Sequence, residues 1–402
     1  MKFFLKFLIL LIRSILVIIL ILQACSTAEG QEVRYNPIST AVPFLTITPD
    51  SRHGAMGDVG AATSPDANSQ FMNPSKFAFA SDKWGFALSF TPWLRKLVGD
   101  VNLAYLSGFY QLDPTQAIGA SLRYFSMGDI TLMGIDKSNL GTIRPSEFAV
   151  DFSYSRRLSD YFSGGVSLRY IRSDFAAGFG GTQAGAENYS AGNAFATDVS
   201  FYYHHLLGGE GSKNTIAAGA NFSNIGSKIS YNQGSTKEFI PANLKLGTTF
   251  TSDLGDSTAI SLSLDLNKLL VPTPANSVDS SGNVIPDHNS SKSVISSIFG
   301  SFTDAPGGMK EELQEITISL GAEYLYKKQF AVRAGYFNES KYKGNRKYFT
   351  AGVGVKLNIA SIDVSYLIPF EQNNPLANTI RFTLLFNMDS FLKRKQSGPV
   401  KM

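Results

Sequence analysis

Large apolar side chains recur at every second position through most of this chain, the period of a strand rather than a helix. In Phe148-Ala149-Val150-Asp151-Phe152-Ser153-Tyr154 the large apolar groups share one face, and Asp151 and Ser153 lie on the other. Ile260, Leu262, Leu264 and Leu266 alternate with Ser261, Ser263 and Asp265. Ile362, Val364, Tyr366 and Ile368 alternate with Ser361, Asp363 and Ser365, and Ile380, Phe382, Leu384 and Phe386 with Arg381, Thr383 and Leu385. Fourteen such segments are predicted, over 84–92, 100–112, 116–125, 146–158, 161–172, 194–204, 214–223, 241–251, 257–267, 315–326, 329–337, 346–357, 359–369 and 377–387. Most match the ~9–11 residues that a tilted strand needs to cross a bilayer. An even count suits a single-chain barrel.

The connections alternate in length as well. Gaps after even-numbered segments are mostly short: Asp113-Pro114-Thr115, Ser159-Asp160, Lys327-Lys328 and Asn358. Those after odd-numbered segments are mostly long: 126–145, 173–193, 224–240 and 268–314. Outer-membrane barrels have short periplasmic turns and longer outer loops. This places 268–314 outside the cell, and 31–83 in the periplasm or inside the barrel mouth as a plug. The expected organisation is a signal over 1–30, the amino-terminal segment 31–83, a barrel over 84–387 and a tail over 388–402. A soluble sandwich would have to bury dozens of Phe, Tyr, Leu and Val side chains in its core. A closed membrane barrel places them in lipid and leaves no unpaired edge. The expected class is all-β, a transmembrane antiparallel barrel of about fourteen strands.

Composition agrees. Charged residues are 17%, well below the usual ~25%, which argues against a disordered or nucleic-acid-binding chain. A mean hydropathy of −0.01 excludes a bundle of membrane helices. The 36 Gly, 30 Phe and 17 Tyr stand against 1 Cys and 4 His, so metal-type ligands are scarce.

The first thirty residues read as an export signal. Lys2 and Lys6 precede an apolar stretch over 8–12 and 15–22, interrupted by Arg13 and Ser14, and small residues follow. Leu22-Gln23-Ala24-Cys25 loosely resembles a lipoprotein box that would lipidate Cys25. Cleavage after Ala28 or Gly30, the preferred reading, discards the sole thiol and with it disulfide or thiolate chemistry. Removing 1–30 deletes three bases and one acid, leaving a charge of +2, and no electrostatic case for a polyanionic partner.

If the apolar rows face lipid, the lumen receives Arg123, Arg169, Lys245, Arg333, Lys356 and Arg381, with Asp151, Asp198, Asp265, Glu323 and Asp363. An Arg or Lys on the lipid face would cost ~2–4 kcal/mol at mid-depth. Near-balance of sign predicts pairing across the lumen, bracing the wall rather than lining a conductive pore. No catalytic set emerges. Gly178-Phe179-Gly180-Gly181-Thr182-Gln183-Ala184-Gly185 opens no helix and reads as an outer loop rather than a phosphate cradle. His53, His204, His205 and His288 lack metal-ligand spacing. We therefore expect neither an enzyme nor a cofactor.

The most distinctive stretch follows the signal. It reads Thr40-Ala41-Val42-Pro43-Phe44-Leu45-Thr46-Ile47-Thr48-Pro49-Asp50-Ser51-Arg52-His53-Gly54-Ala55-Met56-Gly57-Asp58-Val59-Gly60. Then come Pro65-Asp66-Ala67-Asn68-Ser69-Gln70-Phe71-Met72-Asn73-Pro74-Ser75-Lys76 and Phe90-Thr91-Pro92-Trp93-Leu94-Arg95-Lys96-Leu97. Together these resemble the PorV (LptO) family, outer-membrane components of the type IX secretion system of Bacteroidota, within the wider FadL-like barrels. The likeness runs from about residue 35 to the last strand. Arg52, Gly54, Met56, Gly57, Asn73 and Pro74 carry the motif. Ser75, where relatives often have Ala, and the tail Leu392-Lys393-Arg394-Lys395 depart from the pattern.

The resemblance implies a non-enzymatic barrel that associates with a SprA/Sov-like translocon. It would receive cargo carrying a carboxy-terminal β-domain signal, and deliver it to a PorU-like sortase complex that attaches it to surface lipopolysaccharide. Trp93, Arg95 and Lys96 suit a partner hot spot, or equally an interfacial girdle in contact with lipid headgroups. Ile295, Ile298 and Phe299, with Val294, sit among polar residues in the longest loop. They predict a short helix or hairpin that contacts translocon or cargo, or caps the barrel. The competing function is a FadL-like transporter of hydrophobic small molecules, which predicts a continuous apolar pocket. A diffusion porin is the third.

Overall fold

A computed structural model describes residues 35–387 apart from 135, 176–189, 208–213, 233–236, 275–276, 279–283, 286–291, 358 and 372–373. The signal, Cys25, the stretch 178–185, His288 and the tail 388–402 lie outside the described residues.

Fourteen antiparallel strands close into one barrel. In chain order they are β1 (Trp84–Pro92), β2 (Asn102–Asp113), β3 (Gln116–Ser126), β4 (Ser146–Arg157), β5 (Phe162–Asp174), β6 (Gly192–Leu207) and β7 (Asn214–Gly226). The second half comprises β8 (Asn243–Gly255), β9 (Thr258–Leu269), β10 (Thr317–Tyr326), β11 (Phe330–Asn338), β12 (Lys347–Lys356), β13 (Ala360–Pro369) and β14 (Ile380–Asn387). Each pairs with its neighbour in sequence, and β1 closes on β14 with Leu88 opposite Leu384. All fourteen predicted segments are present, shifted by a few residues at their ends. Outward positions such as Phe152, Leu168, Phe195, Val332, Phe349 and Phe382 are exposed, while the intervening positions are buried. This is the alternation that a lipid-facing wall requires. No helix among the described residues is long and apolar enough to cross a membrane.

The long-loop end is taken as the outer end. Its loops hold more regular structure than the pattern predicts. The strands Ile130–Met133 and Asn139–Ile143 form a separate hairpin between β3 and β4. The β9–β10 loop contains both of the alternatives expected for it: a two-residue strand pair (Ser277–Val278 with Val284–Ile285) and the helices α1 (Val294–Gly300) and α2 (Met309–Gln314).

Residues 35–83 do not hang in the periplasm; they fill the barrel from top to bottom. At the outer end, Asn36 donates to Pro274 O and Glu311, each at 2.9 Å, and the Ala41 N–H donates to Phe239 O at 2.9 Å. Val42, Phe44 and Leu45 pack there against Leu103, Phe125, Ala149, Ile171 and Ile229. The segment then descends through short helical turns over Ser51–Gly54, Ser69–Met72 and Pro74–Phe79. At the short-turn end, Phe77 stacks on Phe109, Gln111 donates to Ala80 O at 2.6 Å and Arg157 to Ala78 O at 2.9 Å. The first and last of these turns have a local cause. The Asp50 carboxylate caps the first by accepting the His53 N–H at 3.0 Å, and Asn73 caps the last, with Pro74 supplying a pre-set first helical position.

Candidate functional site

The residues that make the sequence distinctive are those that seat the plug in the wall. At mid-height the inner face of the barrel carries glycines on adjacent strands: Gly219 pairs with Gly247, and Gly321 with Gly335. With no side chain there, plug backbone lies directly on strand backbone. A Cβ on Gly335 would overlap the Gly57 nitrogen and Met56, one on Gly321 would reach Met56 and Val59, and one on Gly219 would meet the Ala61 carbonyl. Gly57 itself has φ +69°, a conformation that favours glycine, and its N–H donates to Thr350 Oγ1 at 2.8 Å. Thr350 returns a bond to Ala55 O at 2.9 Å.

Around this contact the charged residues interlock. Arg52 reaches Glu323 of β10 (3.0 and 3.2 Å), Asp66 of the plug (2.8 Å) and Ser64. Glu323 also accepts from Arg333 of β11 at 2.6 Å, and Arg333 reaches over β12 to Asp363 at 2.5 Å. That span is possible because Gly354 lies beneath it, where a Cβ would strike both partners. Asp265 accepts the N–H groups of Gly60 and Ala61 at 2.7 and 3.0 Å. Buried Lys76 donates to Gly60 O at 2.8 Å and Thr63 at 3.0 Å. Arg381 lies 3.6 Å from Asp58, in room left by Gly54. Arg123 donates to Leu45 O at 3.1 Å and sits 4.5 Å above the Phe71 ring. Asn73 donates to Ala61 O and Phe201 O, both at 2.9 Å. Met56 is fully buried.

The structure places most of these charges buried on the inner face of the wall, with three differences from the expectation. They do not pair across an open lumen, because the plug stands between opposite walls; they pair with wall neighbours or with the plug. Arg169, for example, is held between Asp151 and Asp198 of the strands on either side and also donates to Asn224. Lys245 is only partly buried and meets the plug at Asp58 O, 3.2 Å away. Lys356 is exposed at the short-turn rim, because its strand ends there. Among the described histidines, His53 is clamped by Asp50 (2.9 Å) and Thr63 (3.1 Å), and His205 meets the Tyr161 ring edge-on. Among the described residues no cluster could hold a metal ion.

Removing the hub tests this arrangement. Arg52→Met leaves Glu323 and Asp66 buried with one cation fewer, a loss of about 3–5 kcal/mol by analogy with broken buried pairs. Hydrogen exchange should show faster exchange over 50–66 and unchanged protection in the strands. Equal protection in both regions would refute the hub role.

At the outer rim, Arg95 and Lys96 are exposed, but Trp93 is half-buried against the Val42, Phe44 and Phe125 core. Its ring therefore anchors the first hairpin to the plug. On α1, Ile298 turns inward onto the cluster of Ala242, Leu270 and Val271. Ile295 and Phe299, one turn apart, are 69% and 75% exposed, with Phe302 close behind. The base of this loop is locked by ion pairs. Lys268 meets Glu312 (3.0 Å) and Glu315 (2.5 Å), and Lys343 meets Glu311 (2.5 Å) and Glu315 (3.0 Å).

Burial pushes the Glu311 carboxyl up. Hydrogen bonds from Lys343, Asn36 and the Gly307 N–H, with the Lys343 charge, outweigh this and hold it below its ordinary range. Its stabilisation is thus complete above the unfolded value of about 4.3 and is lost as pH falls through the lower folded value. Asp304, raised by burial, has the opposite sign and takes up its proton at higher pH. Proteolysis of the 270–316 loop should stay constant between about pH 7 and 5 and rise only below about 4. A rise already at pH 6 would contradict the lock.

The sequence matches the type IX secretion system protein PorV family over residues 29–276. The chain belongs to the PorV family. It is therefore an outer-membrane component of type IX secretion, and the family and fold are those of transport or secretion proteins. Among solved structures it is similar to the toluene transporter TodX of Pseudomonas putida, with 13% identity, 85% of this chain and 97% of that one covered, and a TM-score of 0.51. The toluene transporter TbuX of Ralstonia pickettii (13% identity, 85% and 97% covered, TM-score 0.47) and a FadL homologue of Pseudomonas aeruginosa (11%, 88% and 99%, 0.45) are further neighbours. At such identities the TodX likeness concerns the fold, a FadL-like barrel. Among curated proteins none matches significantly. For this PorV family member, the 43–76 stretch of the motif is the plug that the wall glycines seat.

Proposed function

We propose that this barrel holds secreted cargo at its outer rim, next to a SprA/Sov-like translocon, and hands it to a PorU-like sortase complex for attachment at the lipopolysaccharide surface. The observation that carries this reading is the combination of a seated plug with an apolar helix face presented outward at Ile295 and Phe299. A polypeptide has no use for a lumen occupied from Asn36 to Ala80 and must be gripped from outside. Apolar groups in water, on a loop whose base is pinned by ion pairs, are the usual anchors of a protein interface. Arg95 and Lys96 add charge at the neighbouring hairpin.

The FadL-like alternative, uptake of hydrophobic small molecules, calls for an apolar path. The cavity beside the plug instead has a mixed lining, in which Lys245, asparagines and ion-paired residues interrupt the apolar groups.

Affinity isolation of the tagged, full-length protein from native membranes tests the proposal. A very large barrel and cargo bearing the carboxy-terminal signal should co-purify. In a strain lacking the gene, that cargo should accumulate in the periplasm or remain unattached. Normal export and anchoring in such a strain would refute the proposed function.

A further inference from the structure

A cavity of about 340 Å³ lies between the upper plug and the wall formed by β7 to β12. Its floor has an ordered side-chain row. Asn221 is in register with Lys245, Lys245 with Asn267, and Asn267 with Thr317. Four inward groups on four adjacent strands thus stand side by side, about 4.8 Å apart. Asn243 lies one step above and donates to Asn267 Oδ1 at 3.4 Å, leaving the Asn267 amide N–H₂ group on the cavity. Asn221 is 3% exposed, and its Oδ1 has no hydrogen-bond partner.

The charges single out one residue. Each carboxylate on the cavity faces a partner other than Lys245: Glu339 pairs with Arg346 (2.8 and 2.9 Å), Glu315 with Lys268 and Lys343, and Asp58 accepts from the Tyr348 hydroxyl through one oxygen (2.5 Å) with its other oxygen 3.6 Å from Arg381. Arg169 is held by Asp151 and Asp198. Lys245 contacts only the Asp58 carbonyl, at 3.2 Å, and Met72 Sδ, at 3.6 Å, with no carboxylate partner among the described residues. A partly buried ammonium without a carboxylate beside it is a ready partner for a bound anion. The remaining walls offer rings, with Phe337 stacked on Tyr348 at 4.8 Å and Phe71 opposite. Gly344 and Arg346, on the upper edge, are exposed, so the cavity meets solvent at the outer rim.

We propose that this cavity binds a hydroxylated carboxylate, an acidic sugar by class. Its carboxylate would pair with Lys245, its hydroxyls would meet Asn221, Asn243 and Asn267, and its C–H face would lie on the aromatic side. The volume far exceeds a bare carboxylate, and the amide row donates and accepts as vicinal hydroxyls do. A purely apolar ligand would leave both the ammonium and the Asn221 oxygen unpaired. This site is independent of how cargo is handled.

The test uses the purified full-length barrel in detergent, with D-glucuronate, D-glucose and acetate as calorimetric probes. Glucuronate should bind saturably and at least about tenfold more tightly than either of the others, the scale of one charge-assisted contact. Lys245→Met should weaken it by a similar factor. Asn267→Asp keeps the ammonium but gives it a counter-ion, and should do the same. Both variants are first checked for the heat-modifiable mobility of a folded barrel. Glucose or acetate binding as tightly as glucuronate, or full binding by the folded Asn267→Asp variant, would overturn the assignment.

Discussion

Gly335→Val will produce a barrel whose plug cannot seat. The new Cβ falls on the Gly57 nitrogen and the Met56 carbonyl carbon. Both are backbone, held by the Thr350 bonds on one side and the Arg52 network on the other. Overpacking a flexible core costs about 1–3 kcal/mol; here no rotamer change relieves the overlap, so the plug must leave its track. Ordered conductance steps should appear in planar bilayers where the parent protein shows a closed lumen, and proteases should reach 50–66. Gly164→Ala is the control. Gly164 lies on the lipid-facing row, where a Cβ comes no closer than 3.3 Å to the mobile end of Leu158. A Gly335→Val barrel that remains closed would show that the plug is not seated on strand backbone.

The second large effect concerns partners rather than folding. Ile295→Glu with Phe299→Glu should leave the barrel intact, because neither side chain packs on it. It should abolish co-purification with cargo or translocon, since two central apolar anchors are commonly worth about 2 kcal/mol or more each. Ile298→Glu is the instructive contrast. That side chain packs on Ala242, Leu270 and Val271, so its replacement disorders α1 and lowers loop protection as well. Retained capture by the Ile295/Phe299 double variant would move the partner surface elsewhere, for instance to Arg95 and Lys96.

The strands were legible because their constraint is local and repeated. A residue such as Phe152 or Asp151 has its face decided by parity and by the cost of a charge in lipid. The connection lengths supplied inside and outside. The plug was harder. Its residues are small, polar and aperiodic, and its turns are four to six residues long. No period announces them, so 31–83 could be bounded but not threaded. Inward glycines offered a signal: Gly219, Gly247, Gly321 and Gly335 leave gaps in inward rows that otherwise carry side chains. A gap of this kind implies that something backbone-like lies against the wall. Trp93 shows the converse difficulty, since an aromatic beside two cations looks the same in sequence whether it faces lipid, a partner or the plug.

By itself the sequence determined a closed fourteen-stranded wall, which residues face lipid, where the long loops lie, and, through the 43–97 motifs, the family. Those follow from short-range alternation and from the transfer cost of side chains, which act strand by strand. Only the tertiary structure decided what fills the cylinder and which charges meet. Arg52 with Glu323, Asp265 with Gly60, and Lys245 with the Asp58 carbonyl are separated by 271, 205 and 187 residues in the chain. Closure of the barrel around the plug brings them together, and contacts of that kind leave no periodic trace along the sequence.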